Sequence, residues 1–160
     1  MKRLVLVSAF LALSAPVFAH GGDRGEAKAT VAGKPVVIDY GRPSLSGRDM
    51  LGQAAVGKAW RMGANAATTL KTEADLSFGS ATVPKGTYVL TATKLAEDKW
   101  QLNVATNDAE KKTVAQVALA TSTLPASVED FTIDLKVEKD NGELILSWGT
   151  TALKAAFTGK

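Results

Sequence analysis

The sequence predicts an all-β protein: a single-domain antiparallel β-sandwich, jelly-roll-like or barrel-like, with eight or nine strands and one short helix. Apolar and polar residues alternate with a period of two along several runs. Turn-forming Gly, Pro and Asn punctuate the chain at short spacing, and Thr and Val are enriched between those turns.

Taken in order, Ala27–Val31 and Pro35–Tyr40 flank Ala32-Gly33-Lys34, an opening hairpin. Gly47–Val56 carries the expected helix, although Gly52 weakens it. Val83-Pro84-Lys85-Gly86 reads as a turn with Pro at its second position. It leads into a strand over Thr87–Leu95, and Glu97-Asp98-Lys99 separates that from an alternating run of Trp100, Leu102 and Val104. Ala109–Ala120 could be a helix by propensity or a strand by its Val117/Leu119 alternation, and is read as a strand from Thr113 to Ala120. Phe131, Ile133, Leu135 and Val137 alternate with Thr132, Asp134, Lys136 and Glu138. Leu144, Leu146 and Trp148 form the matching run. Between these two, Asp140-Asn141-Gly142 is the strongest hairpin signal, because Asn-Gly tolerates the positive φ of a type I′ turn.

The first residues read as an export signal. Lys2 and Arg3 precede an apolar run from Leu4 to Leu13, and Val17-Phe18-Ala19 suits signal peptidase, which places cleavage after Ala19. The stretch is short for a membrane span and is interrupted by Ser8, Ser14 and Pro16. The expected organisation is a signal peptide over 1–19, a polar flexible tail over 20–26 and the β domain over 27–160. The expected location is the periplasm, with secretion as the alternative and no membrane association after cleavage.

The 160 residues include 19 Lys+Arg against 16 Asp+Glu, a formal charge of +3. Cleavage removes two bases and no acid, leaving +1, so no electrostatic footprint for nucleic acid is expected. With no cysteine there is no lipid-anchor site, no disulfide framework, no thiolate nucleophile and no Cys-bound metal. Stability must come from the hydrophobic core, which a chain of about 140 residues can build. The single His, His20, excludes a His-rich metal site and leaves a Ser-His-Asp triad only a tail residue to use. As a new N-terminus it could chelate Cu(II) weakly, but a catalytic copper centre needs a second histidine. Dinucleotide and Walker A patterns are absent. No cofactor and no metal are expected. The adjacent acids Glu97/Asp98 and Glu129/Asp130 read as solvated charge at turns and strand ends.

Tyr40–Leu70 is the least strand-like stretch and gathers Tyr40, Arg42, Arg48, Trp60, Arg61 and Asn65. Arginine offers a planar fork for carboxylate or phosphate, and Trp and Tyr offer flat faces for sugars. Function on a β scaffold tends to sit on such a connection. These six are the candidate ligand-binding residues, with no catalytic residue assigned. The competing structural reading has the arginines pinned to Asp39, Asp49 or backbone carbonyls, with Trp60 in the core.

The motifs Tyr40-Gly41-Arg42-Pro43-Ser44, Gly47-Arg48, Trp60-Arg61-Met62-Gly63-Ala64-Asn65 with Thr68, and Val83-Pro84-Lys85-Gly86-Thr87-Tyr88 resemble the DUF2911 family, exported bacterial proteins of uncharacterised function. Val128–Ile133 and Leu144–Trp148 continue the likeness, which covers most of the mature chain. The chain departs from the family at Gly52–Gly57, where many relatives carry a Val-Pro-Tyr-Gly-like run. It also lacks the Trp-Gly…Tyr segment that many carry after Val104. The resemblance implies an exported, mainly β domain and brings no activity with it.

The sequence thus favours a non-catalytic binding or interaction module that uses residues 40–69 for a small anionic or carbohydrate-like ligand, or for an envelope partner. The alternatives are a cofactor-free envelope hydrolase or lyase acting through Tyr, Arg and a carboxylate such as Asp39 or Asp49, and a purely structural domain.

Overall fold

The computed structural model describes residues 23–160; the expected signal peptide and His20 lie outside the described residues. Ten strands follow in chain order: β1 (Arg24–Val31), β2 (Lys34–Gly41), β3 (Ala59–Trp60), β4 (Thr68–Thr72), β5 (Leu76–Phe78), β6 (Ala81–Val83), β7 (Gly86–Ala96), β8 (Lys99–Thr106), β9 (Thr113–Glu138) and β10 (Asn141–Gly159). All pairings are antiparallel, in the spatial order β1-β2-β4-β7-β8-β9-β10-β5-β6, with β3 also on β7.

β9 makes the fold two-layered. Its first part, to Leu119, pairs with β8, and from Ala120 onward it pairs with β10. Inward-facing side chains from both layers meet in one core, with Val36, Ile38, Leu70, Leu90, Leu102, Phe131, Leu146 and Phe157 among them. Each such side chain, fully buried, contributes about 1.5–3 kcal/mol of hydrophobic stabilisation.

β10 is sharply bent. Gly149 has a φ of 61°, and the register shifts on both sides of it. Between the pairs Val128–Gly149 and Thr123–Thr151, β9 spends more residues than β10. Pro125, which has no N–H for a ladder, falls in that excess. The bend brings the two ends of β10 together: the Gly159 N–H donates to the Asp140 carbonyl at 2.7 Å, and the Phe157 ring packs where a Cβ on Gly142 would stand.

The all-β fold is as expected, with four local differences. No helix forms among the described residues: Gly47–Val56 makes turns, with Gln53 N–H on Asp49 O at 3.1 Å and the Asp49 carboxylate taking the Gly52 N–H at 2.8 Å. Asp49 caps a single turn that Gly52 does not propagate. The β9–β10 turn lies at Lys139-Asp140, with Lys139 at φ 57°, because Asn141 already pairs with Glu138 and Gly142 is reserved for Phe157. Residues 24–26, expected in the tail, are in β1, where Arg24 pairs with Asp39 and Gly25 leaves room for Tyr40 and Arg42. The strand count is ten because the short β3, β5 and β6 carry too few residues to show a period.

The β8–β9 turn depends on one carboxylate. Asp108 Oδ1 accepts from the Thr106 hydroxyl (2.9 Å) and from the Glu110 and Lys111 N–H groups (both 3.0 Å). The Thr106 hydrogen bond first, and then those backbone donors, hold its carboxyl below the ordinary aspartate range. A depressed carboxylate stabilises the fold above its unfolded-state value and loses that contribution as pH falls through the folded-state value. Asp108→Asn should therefore flatten the acid limb of the stability–pH curve. An unchanged acid limb in urea melts across that range would contradict this role.

Candidate functional site

The segment following β2 crosses one end of the sandwich. Pro43–Leu45 first runs antiparallel to β9 as a short added strand: Phe131 N–H donates to Pro43 O at 2.9 Å, and Leu45 N–H donates to Glu129 O at 3.0 Å. The Ser44 hydroxyl donates to the Asp130 carboxylate, and the Ser46 N–H to Glu129 Oε1 at 3.0 Å. Glu129 and Asp130 therefore anchor the segment.

β3 follows on β7, and then the chain makes a tight clasp. Met62, Gly63 and Asn65 have φ values of 54°, 148° and 62°. Met62 is fully buried, and the buried Thr68 hydroxyl donates to its carbonyl at 2.7 Å. Arg61 Nη1 donates to the Asn65 carbonyl at 2.6 Å, closing the clasp from outside. The clasp backbone lies directly on Gly41. A Cβ there would stand 2.6 Å from the Ala64 nitrogen and closer still to its carbonyl oxygen. Much of the Tyr-Gly-Arg-Pro-Ser and Gly-Ala-Asn pattern thus serves a backbone-on-backbone contact that only glycine permits.

The six candidate residues do not share one pocket. Tyr40 and Arg42 line a cleft of about 620 Å³ between β1 and the later part of β9. Arg48 and Trp60 line a second recess of about 360 Å³, together with Met50, Leu51, Lys58 and Trp148. Arg61 and Asn65 bond to each other and line neither. The three arginines are separated because one leaves β2, one lies in the turns after Leu45 and one follows β3.

Aromatic rings back both recesses. Phe131, fully buried, meets Tyr40 edge-on at 5.7 Å and touches Trp60 and Trp148 at 5.0 and 5.6 Å. Trp60 and Trp148 stack at 5.8 Å with 14° between their planes. Trp60 is half-buried, so it serves the core and the recess at once. Trp148 Nε1 donates to Glu129 O at 3.2 Å, which fixes its ring.

The charges around the second recess are uncompensated. Among the described residues the ion pairs are Arg24–Asp39 and Lys28–Glu26, so no carboxylate neutralises Arg48 or Lys58. Leu45 O accepts both the Arg48 backbone N–H at 3.1 Å and the side-chain Nε at 3.3 Å, which holds the side chain and leaves its terminal nitrogens available. Below the loop, buried Lys94 donates Nζ to Gly52 O at 3.0 Å, and its own carbonyl accepts from Gly57 N–H at 2.8 Å. Lys58, Lys94 and Trp148 were not singled out from the sequence. Lys94 carries a legible signal, since it shares the inward face of β7 with Tyr88, Leu90 and Ala92.

Fold and site together define an all-β domain with a cationic, tryptophan-backed recess at one end. The chain belongs to the DUF2911 family, proteins of unknown function, whose family model matches residues 23–157. No curated protein and no solved structure matches it.

Proposed function

We propose that the chain is a binding domain for a small anionic or carbohydrate-like ligand seated in the Trp60 recess. The observation that carries this reading is the pair of unneutralised cations, Arg48 and Lys58, beside the stacked Trp60 and Trp148 rings. A ring face packs against a sugar or another flat ligand, and the guanidinium fork takes a carboxylate or phosphate. Residues 1–19 would send the domain to the periplasm, which makes acidic saccharides of the cell envelope the natural ligand class. Arg61 moves from the binding set to the scaffold, given its bond to Asn65. The hydrolase or lyase alternative gains no support from the two carboxylates it named, since Asp39 pairs with Arg24 and Asp49 caps Gly52.

Titrating glucuronate, glucose and inorganic phosphate against tryptophan fluorescence tests this. Glucuronate should quench saturably, and Arg48→Ala should weaken it about tenfold, the loss expected for one charge-assisted hydrogen bond. Equal responses of wild type and Arg48→Ala to all three would rule this reading out.

A further inference from the structure

We infer that Lys94 sets the charge preference of the Trp60 recess: its buried side-chain cation favours an anionic ligand over a neutral one without touching it. The inference rests on the recess being the binding site, and it adds a residue that lies outside the lining.

β7 places Lys94 beneath the recess. Trp60 stands opposite Ala92, and Lys94 follows two residues further along β7, on the same inward face. A diagonal neighbour of that kind has its Cβ about 7–8 Å away. Trp100 stands opposite Lys94, and its ring meets Trp60 edge-on at 6.3 Å. Above, the Gly52 carbonyl that accepts from Lys94 Nζ at 3.0 Å lies between Leu51 and Gln53, which both line the recess. Lys94 is therefore one layer behind the recess wall.

The fold gains little from a charge in that place. A buried cation without a counter-charge is costly, and an apolar side chain of similar volume often serves a core as well or better. Lys94 is 5% exposed, and neither ion pair among the described residues includes it. The strap of residues 47–57 is closed by backbone bonds that need no ammonium: Gln53 N–H to Asp49 O, Ala54 N–H to Leu51 O, and Gly57 N–H to the Lys94 carbonyl. Asp49, the one acid in the strap, is exposed, and its Oδ1 accepts from the Gly52 N–H. Glu97 and Asp98, in the β7–β8 turn, are exposed as well, so solvent and salt screen all three. The buried Lys94 charge is screened far less, and its field adds to that of Arg48 and Lys58 in the recess.

The test compares glucuronate with glucuronamide, the same sugar with and without its charge, by tryptophan fluorescence on the whole domain. Wild type should favour the acid. Lys94→Met should cut that preference about tenfold, as for a unit charge roughly 10 Å away at an effective dielectric of about 20, and leave the amide unchanged. Lys94→Gln, a neutral donor, should give the same cut, so the result does not hang on one variant. A strap that merely lifted would weaken acid and amide together. The denaturant midpoint of Lys94→Met should equal or exceed that of wild type, a readout that needs no ligand. An unchanged acid-to-amide ratio, parallel loss of both ligands, or a lowered midpoint would each overturn the inference. If wild type binds neither ligand, the recess is not the binding site and the role of Lys94 falls with it. If Arg48→Ala weakens glucuronate and Lys94→Met does not, only the role of Lys94 falls.

Discussion

Replacing Gly41 with alanine should destabilise the domain by about 3 kcal/mol, at the upper end of ordinary overpacking. The added methyl has nowhere to go. Its neighbours are the backbone nitrogen and carbonyl of Ala64, which cannot rotate aside as the end of a long side chain would. Gly63 meets the same surface from the other side, since its own Cβ would stand 2.7 Å from the Gly41 carbonyl oxygen. Relief requires the clasp to lift, and lifting it withdraws Met62 from the core and breaks the Thr68 hydrogen bond. Denaturant melts of Gly41→Ala should show a lower midpoint with an unchanged slope. A midpoint within error of wild type would show that the two backbones are not in obligatory contact.

Phe131→Ala should cost about 4 kcal/mol, in the range for removing a fully buried phenyl ring. Its effect should reach both recesses, because Tyr40, Trp60 and Trp148 all rest on that ring. Tryptophan emission should move to longer wavelength as water reaches Trp60 and Trp148. A Phe131→Leu variant should recover about half of the lost stability by refilling part of the volume. Destabilisation without any change in tryptophan emission would mean that the Trp60–Trp148 stack holds itself together.

These two positions also mark what the sequence could and could not reveal. The alternation through Phe131, Ile133, Leu135 and Val137 was legible because a half-buried strand imposes a period of two on its own residues. So was the Ala32-Gly33 turn, where both residues take positive φ. The role of Gly41 was not legible, because what it accommodates is the backbone of residues 63 and 64, and a backbone leaves no mark in composition. The Asn141-Gly142 signal found the β9–β10 hairpin but placed its turn too late, for a related reason. Glycine was needed there for the absence of a side chain beneath Phe157 and not for its φ.

The candidate site was legible as a segment and illegible as a geometry. Tyr40, Arg42, Arg48 and Trp60 do line recesses, yet chain proximity could not tell that β2 and β3 would place them in two. Glu129 and Asp130, read as solvated acids, anchor the segment instead, and only the pairing of Ser44 with Asp130 reveals this. Arg61 bonds the Asn65 carbonyl, and in a sequence arginine is the same residue whether it faces a carbonyl or a solute.

The closed course of β10 bears on how the chain is made. A 19-residue strand would reach about 60 Å if straight, yet the Gly159 N–H returns to the Asp140 carbonyl at its own start. The ring that closes it, Phe157, belongs to the last stretch of the fold to be translated. A chain growing from its N-terminus therefore carries β1 to β9 for the whole of that interval with the Gly142 slot empty and β5 without its partner at Thr158 and Gly159. The fold is thus complete only once the end of β10 is in place, and until then the Gly142 slot and the β5 edge stay open.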